Sequence, residues 1–192
     1  MNGRILSVAA AALLALTAPA ALNAQSLYIS GGAGFPTGDF GDAADIGWQI
    51  AGGILFADIG TPGLSLGVDG SYGQNSIKDD NPFGLDISGN IKTYGIMGIA
   101  LYSFANESGV DPYVFGGAGW LGADGYASVS DGDTTGSVSD SESSFGYQLG
   151  AGIGFGISEK ISIYGEGRYT GGTGDLSEIK WISALAGLSF AL

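Results

Sequence analysis

The 192-residue chain contains 37 glycines, no cysteine and no histidine, and its formal net charge at pH 7 is −13. This acidity argues against nucleic-acid binding, because no basic patch is available to release counterions from phosphates. The lack of cysteine excludes disulfides and thiolate metal sites.

The first 24 residues predict a cleaved secretory signal peptide. Arg4 supplies a positive charge, residues 5–16 are almost wholly apolar, and small residues follow up to Ala24. A transmembrane anchor is the alternative, but the apolar run is shorter than the ~20 residues of a spanning helix. We therefore expect export and cleavage after Ala24, which leaves residues 25–192 as the mature domain.

The rest of the chain repeats one pattern, in which apolar residues alternate with small or polar residues between turn-forming clusters. Each segment has about 10 residues, the length that a tilted strand needs to cross the hydrocarbon. Eight such segments predict an all-β fold, an eight-stranded antiparallel up-and-down transmembrane β-barrel. No later segment is apolar over a helix length, so a membrane would have to be crossed by strands, and strands satisfy every backbone group in lipid only as a closed barrel. The predicted strands are 27–35, 46–57, 64–74, 91–104, 111–121, 145–157, 161–170 and 179–192.

Short and long connections alternate along the chain. The short links are 58–63, 105–109 and 158–160, and the long ones are 36–45, 75–90, 122–144 and 171–178. In outer-membrane barrels short turns face the periplasm and long loops face the outside. Both termini are therefore expected in the periplasm, and the acidic long loops should make the outer rim negative.

Aromatic residues near the strand ends predict two belts at the membrane interfaces. Trp48, Trp120, Tyr169 and Trp181, together with Tyr72 and Tyr94, are expected at the long-loop ends. A second belt is expected at the short-turn ends, formed by Tyr28, Phe56, Tyr102, Phe104, Tyr113 and Phe190.

The sixth predicted strand shows the alternation most clearly. Its odd positions from Phe145 to Ile157 are apolar, and its even positions are glycine except for Gln148. Glycine weakens an ordinary strand, so a row of glycines indicates close approach inside a narrow barrel. We expect the large residues to face lipid.

The fourth predicted strand is ambiguous. Two sets of residues compete for the lipid side, the odd-numbered Met97, Ile99 and Leu101 and the even-numbered Ile96, Ala100 and Tyr102. A bulge within residues 95–98 would reconcile the two halves of the strand. Because the facing is undecided, Lys92 is assigned to neither side.

The longest loop contains a pattern similar to a calcium-binding EF-hand loop. Asp131, Asp133, Thr135, Gly136 and Glu142 occupy its first, third, fifth, sixth and twelfth positions. Strands, not helices, flank the segment, so a solvated acidic loop tip is the favoured interpretation. No metal and no cofactor are predicted.

Residues 112–119 and 163–169 and the final strand resemble the small outer-membrane β-barrel family that includes the OmpA membrane domain, OmpX and opacity-type surface proteins. Gly187, Phe190 and Leu192 are similar to the family's C-terminal assembly signal, although the family usually ends in an aromatic residue. The resemblance implies residence in the cell outer membrane, contact with membrane lipid and lipopolysaccharide, and recognition by the barrel-assembly machinery. A monomer is expected.

The resemblance leaves the function open, because this fold hosts unrelated functions. Enzymes among small outer-membrane barrels use a histidine, and without one a serine such as Ser71 or Ser183 lacks its usual base. We therefore predict no enzymatic activity. A structural barrel, a narrow pore or lateral route for small molecules, and a loop-mediated adhesion or recognition module remain as alternatives.

Five polar residues are expected to face the lumen. Glu166 and Arg168 lie two positions apart on one face of a strand, so they can pair. A closed ion-pair and hydrogen-bond plug is favoured over a gated pathway, because the interior of a small barrel is only just wide enough for its own side chains. The predicted network consists of Gln49, Asp69, Gln148, Glu166 and Arg168.

Overall fold

A computed structural model describes residues 25–78, 86–104, 109–130 and 135–192. The predicted signal peptide, residues 1–24, lies outside the described residues. In the described part of the chain, no helix is long and apolar enough to cross a membrane.

Eight antiparallel strands form one closed barrel, which confirms the predicted fold. Each strand pairs with the next, and the last strand closes on the first from Ser26↔Ala191 to Pro36↔Trp181. Closure leaves no open edge around the barrel wall. The strands are β1 (Gln25–Pro36), β2 (Gly47–Phe56), β3 (Leu64–Ser76), β4 (Asp86–Ser103), β5 (Val110–Ser130), β6 (Thr135–Gly156), β7 (Ile161–Gly172) and β8 (Lys180–Ala191).

The outer wall is apolar and the inner face is small or polar. On β6, Phe145, Leu149 and Ile153 are exposed, whereas Gly146 and Gln148 are buried between them, as the alternation predicts. A soluble protein would turn these large side chains inward. Their position on the outside suits a wall that is covered by lipid.

The facing of β4 is settled by regular pairing on both of its edges. Met97 and Ile99 are buried in the lumen, and Ile96 lies on the outer wall. The pairing with β3 and β5 runs without interruption, so the suggested bulge at residues 95–98 is wrong. Lys92 has the same parity as Ile96 and lies opposite Asp124 of β5.

Much of the predicted 122–144 loop is strand. β5 and β6 pair continuously from Val110↔Phe155 to Ser130↔Thr135. The pairing of β6 with β7 reaches only Gly146↔Gly172. Residues 121–130 and 135–144 therefore extend past the β6–β7 ladder as a hairpin, here called the β5–β6 ribbon. The sequence missed it because Ser, Asp and Gly, which favour turns, also fill its strands.

The ribbon excludes an EF-hand loop over the part that the structure describes. Thr135 to Glu142 form extended strand, and Glu142 pairs with Ala123. Alternate side chains of a strand point to opposite faces, so they cannot converge on one ion. Asp131 and Asp133 lie outside the described residues. Among the described residues, no group of three or more His, Cys, Asp or Glu side chains could hold a metal ion.

Candidate functional site in the barrel lumen

Arg168 is held at the middle of the lumen by three side chains from β3, β6 and β7. Its Nη1 donates to Asp69 Oδ1 at 2.8 Å and to Gln148 Oε1 at 3.2 Å. Its Nε and Nη2 donate to Glu166 Oε1 at 3.1 and 2.6 Å. Gln148 Nε2 also donates to Asp69 Oδ1 at 3.3 Å. The Arg168 and Asp69 side chains are only 4% and 1% exposed, so their charges are compensated inside the protein.

Two phenols complete this Arg168 cluster. Tyr28 donates to Asp69 Oδ2 at 2.7 Å, and Tyr113 donates to Glu166 Oε2 at 2.9 Å. The prediction that Tyr28 and Tyr113 face lipid in the short-turn belt is wrong. Strand parity could have shown that both tyrosines point inward, because their immediate neighbours Leu27 and Val114 face outward.

Gln49 lies apart from the other four predicted lumen residues. It is buried, and its Oε1 accepts a hydrogen bond from Ser183. The structure thus brings Asp69, Gln148, Glu166 and Arg168 into one cluster, and it places Gln49 in a separate pair between β2 and β8.

An apolar cluster fills the lumen toward the long loops. A five-residue helix, α1 (Asp39–Ala43), inserts Phe40, and the 3₁₀ turn Gly174–Leu176 inserts Leu176. Both are buried with Met97, Leu121 and Trp181. We call these five side chains the apolar cap.

Trp181 was expected at the lipid interface, and this prediction is wrong. Its ring is only 3% exposed and meets Phe40 edge-to-face, with 6.5 Å between the ring centroids. Trp181 shares its parity on β8 with Ser183 and Leu185, which also point inward. The covering helix α1 gives the ring an apolar partner inside the barrel.

The other predicted interface residues lie on the outer wall. Trp48 and Trp120 are exposed and contact tyrosines of adjacent strands, with centroid distances of 5.6 Å to Tyr72 and 5.4 Å to Tyr94. Tyr169 lies 6.2 Å from the ring of Tyr147. Their position in a membrane interface stays a prediction.

Glycines of the inner wall make room for aromatic rings. A Cβ atom at Gly150 would lie 2.4 Å from the Phe115 ring, and one at Gly152 would lie 2.4 Å from the Tyr113 ring. In both cases the glycine is the cross-strand partner of the aromatic residue. The glycine row therefore provides the close approach that the sequence indicated.

A cavity of about 220 Å³ occupies the lumen at the short-turn end. Its lining includes Tyr28, Tyr113, Tyr164, Phe115, Glu166 and Arg168, and also Asp111 and serines near the strand ends. From the long loops to the short turns, the lumen thus contains the apolar cap, the Arg168 cluster and this short-turn cavity.

Comparison with known families identifies the architecture. Residues 6–190 match the model of the outer membrane protein beta-barrel domain. The chain belongs to this family. Membership implies that the barrel spans an outer membrane, in agreement with its apolar outer wall. No curated protein matches the chain.

Solved structures share the barrel at low sequence identity. Neisserial surface protein A (NspA) is 17% identical with a TM-score of 0.59, and the match covers 88% of this chain and 96% of that one. A major outer membrane protein from Thermus thermophilus is 15% identical with a TM-score of 0.56, covering 88% and 99%. Ail, the attachment invasion locus protein of Yersinia pestis, is 18% identical with a TM-score of 0.54, also covering 88% and 99%. These likenesses show the fold alone.

The predicted assembly signal lies at the end of the chain, with Gly187 and Phe190 on the final strand and Leu192 directly after it. Gly187 points inward beneath the Tyr164 ring, whereas Phe190 lies on the outer wall. Leu192 is exposed, and its N–H donates to the carbonyl of Gln25 at 2.9 Å. The role of these residues in assembly stays a prediction.

Proposed function

We propose that the protein is a non-enzymatic structural barrel of the outer membrane, whose lumen is closed by its own side chains. The observation that carries the proposal is the pair of successive barriers in the lumen. The apolar cap, which contains Phe40 and Trp181, lies on the long-loop side of the buried Arg168 cluster. An ion would have to displace an apolar core and then break a buried ion pair.

The chemistry of the chain supports a role without catalysis. The sequence has no histidine, and Ser183, which points into the lumen, donates its hydrogen bond to Gln49. A serine whose partner is an amide oxygen has no base to remove its proton.

Membrane placement and partners form part of the same proposal. The chain is exported through a signal peptide of residues 1–24, and its short turns face the periplasm. The barrel-assembly machinery recognises the C-terminal signal formed by Gly187, Phe190 and Leu192. The folded barrel is a monomer surrounded by outer-membrane lipid and lipopolysaccharide. The apolar outer wall and the acidic long-loop end support this orientation, because long loops of such barrels lie outside.

Single-channel conductance in planar bilayers tests the closed lumen. We expect no discrete openings from the folded, heat-modifiable wild type. Phe40→Ala combined with Glu166→Ala should open a path, since it weakens both barriers. Regular openings of the wild type that change with Glu166→Ala alone would contradict the proposal and favour a narrow pore.

The β5–β6 ribbon favours a second function, surface recognition. The ribbon carries exposed Tyr126, Val129 and Val138. In the described part of the chain, β6 has no ladder partner on its outer edge before Phe145. Such an edge can accept an extended segment of a partner. Replacing residues 122–143 by a short turn should abolish adhesion of expressing cells while the barrel still folds. Unchanged adhesion would reject this function.

A further inference from the structure

Three tyrosines form walls of the short-turn cavity. Each ring lies over a glycine that is its cross-strand partner: Tyr28 over Gly53, Tyr113 over Gly152 and Tyr164 over Gly187. A ring laid against the wall in this way turns its other face toward the lumen.

The three rings stand at steep angles to one another. The Tyr164 ring lies 6.4 Å from that of Tyr28 with an interplanar angle of 76°, and 6.5 Å from that of Tyr113 with an angle of 71°. All three rings line the same cavity. Such an arrangement suits an organic cation, because aromatic faces carry the negative part of the ring quadrupole.

The charges around the cavity favour the same kind of ligand. Asp69 and Glu166 share the single guanidinium of Arg168, so the cluster carries one net negative charge when all three groups are ionised. Asp111 adds another carboxylate to the lining. All Arg168 nitrogens already donate to Asp69, Gln148 or Glu166, which leaves the guanidinium poorly suited to hold an anion.

One ring of the cavity already faces a cation. The guanidinium carbon of Arg168 lies 5.1 Å from the centroid of Phe115, within the range of a cation–π contact. Phe115 also lies against the wall, over Gly150. The wall therefore presents aromatic faces in an orientation that a positive group can use.

We propose that the short-turn cavity binds a small organic ammonium cation, held between Tyr28, Tyr113 and Tyr164 and attracted by Glu166 and Asp111. A volume of about 220 Å³ accommodates an alkylammonium head of the size of choline. The ligand enters from the short-turn end, because the Arg168 cluster and the apolar cap fill the other side. The site is independent of whether the barrel has a structural or a recognition role.

The test uses the exported protein, purified from membranes in a detergent that lacks amine and ammonium groups. Choline is titrated while NMR signals of the tyrosine rings are followed. The matched probe is the neutral isostere of choline, in which carbon replaces nitrogen. We expect saturable shifts of the three lumen tyrosines with choline, and at least about tenfold weaker binding of the isostere. Equal binding of the two probes, or no saturable shift with choline, would overturn the proposal.

Variants separate the aromatic and electrostatic contributions. Tyr164→Phe keeps the ring face and should retain binding, whereas Tyr164→Leu should weaken it about tenfold. Asp111→Asn should also weaken choline binding, and Glu159→Gln, exposed in the last short turn, should leave it unchanged. Asp111 is exposed and lies outside the Arg168 cluster, so this variant tests the charge without disturbing the fold. If both Asp111→Asn and Tyr164→Leu bound choline with the affinity of the wild type, the site would be rejected.

The ammonium group can come from a free solute or from a lipid headgroup. Nanodiscs of anionic, amine-free lipid are compared with nanodiscs that also contain phosphatidylethanolamine. Tyrosine shifts that appear with phosphatidylethanolamine alone would identify the headgroup as the source. Shifts that require added choline would identify a free solute. Absence of shifts in every arm would reject the proposal.

Discussion

Arg168 and Asp69 join opposite sides of the barrel, with 2.8 Å between Nη1 and Oδ1. Their strands, β7 and β3, are separated by three strands in either direction around the closed sheet. Glu166, on the same strand as Arg168, binds the other side of the guanidinium at 2.6 Å. The cluster therefore links two opposite walls of the barrel across the lumen.

Removing one partner should reveal the cost of an unpaired buried charge. We expect Asp69→Ala to lower the free energy of unfolding by about 3–5 kcal/mol, because Arg168 would lose its cross-barrel carboxylate. Denaturant unfolding in lipid vesicles, followed by heat-modifiable gel mobility, measures the loss. Glu159→Ala, at an exposed turn, is the control. Similar unfolding midpoints for the two variants would contradict a stabilising role of the pair.

The inner glycine row should be intolerant of even a methyl group where rings lie over it. We expect Gly150→Ala to destabilise the barrel by about 1–3 kcal/mol, since its Cβ would overlap the Phe115 ring. Gly156→Ala on the same strand has open space at its Cβ and should be nearly neutral. Adding Phe115→Leu should recover part of the loss at Gly150. A neutral Gly150→Ala variant would refute the tight packing of this wall.

Tryptophan quenching by brominated lipid should separate the three tryptophans. Trp48 and Trp120 lie on the outer wall, and Trp181 is buried beneath Phe40. In single-tryptophan variants we expect strong quenching at Trp48 and Trp120, and weak quenching at Trp181. Phe40→Ala should shift the Trp181 emission to longer wavelength as water enters. Strong lipid quenching of Trp181 would place its ring outside the barrel.

A charge introduced at two similarly exposed positions should have different effects on stability if one position faces lipid and the other faces water. Leu149 is 61% exposed on the barrel wall, and Val138 is 66% exposed on the β5–β6 ribbon. Leu149→Arg should cost about 2 kcal/mol or more, because the charge would enter hydrocarbon. Val138→Arg should leave stability within about 0.5 kcal/mol, as surface changes in water usually do. If both variants lost the same free energy of unfolding in lipid vesicles, the two positions would face the same surroundings, and the assignment of one to lipid and the other to water would be wrong.

The sequence by itself determined the number of strands, and the approximate limits and the facing of most of them. This was possible because side chains of a strand alternate with a period of two, so a lipid-facing wall leaves a regular apolar pattern. Asp69, Gln148, Glu166 and Arg168 could be placed in the lumen by the same parity. The pairing of Glu166 with Arg168 followed from their spacing on one strand, whereas the contacts of Arg168 with Asp69 and Gln148 on other strands did not.

The tertiary structure alone decided what covers each inward position. Trp181 lies near a long-loop strand end, where the sequence predicts an interface residue, but in the structure its ring is buried in the lumen against Phe40. The inward position of Tyr28 and Tyr113 depends on their strand parity and on the carboxylates that barrel closure brings within hydrogen-bond distance of their hydroxyl groups. The β5–β6 ribbon was hidden because its strands use residues that favour turns, and cross-strand pairing overrides that local preference. Contacts between strands far apart in the chain leave no periodic signal in one sequence, so the structure was needed to show which lumen side chains meet across the barrel.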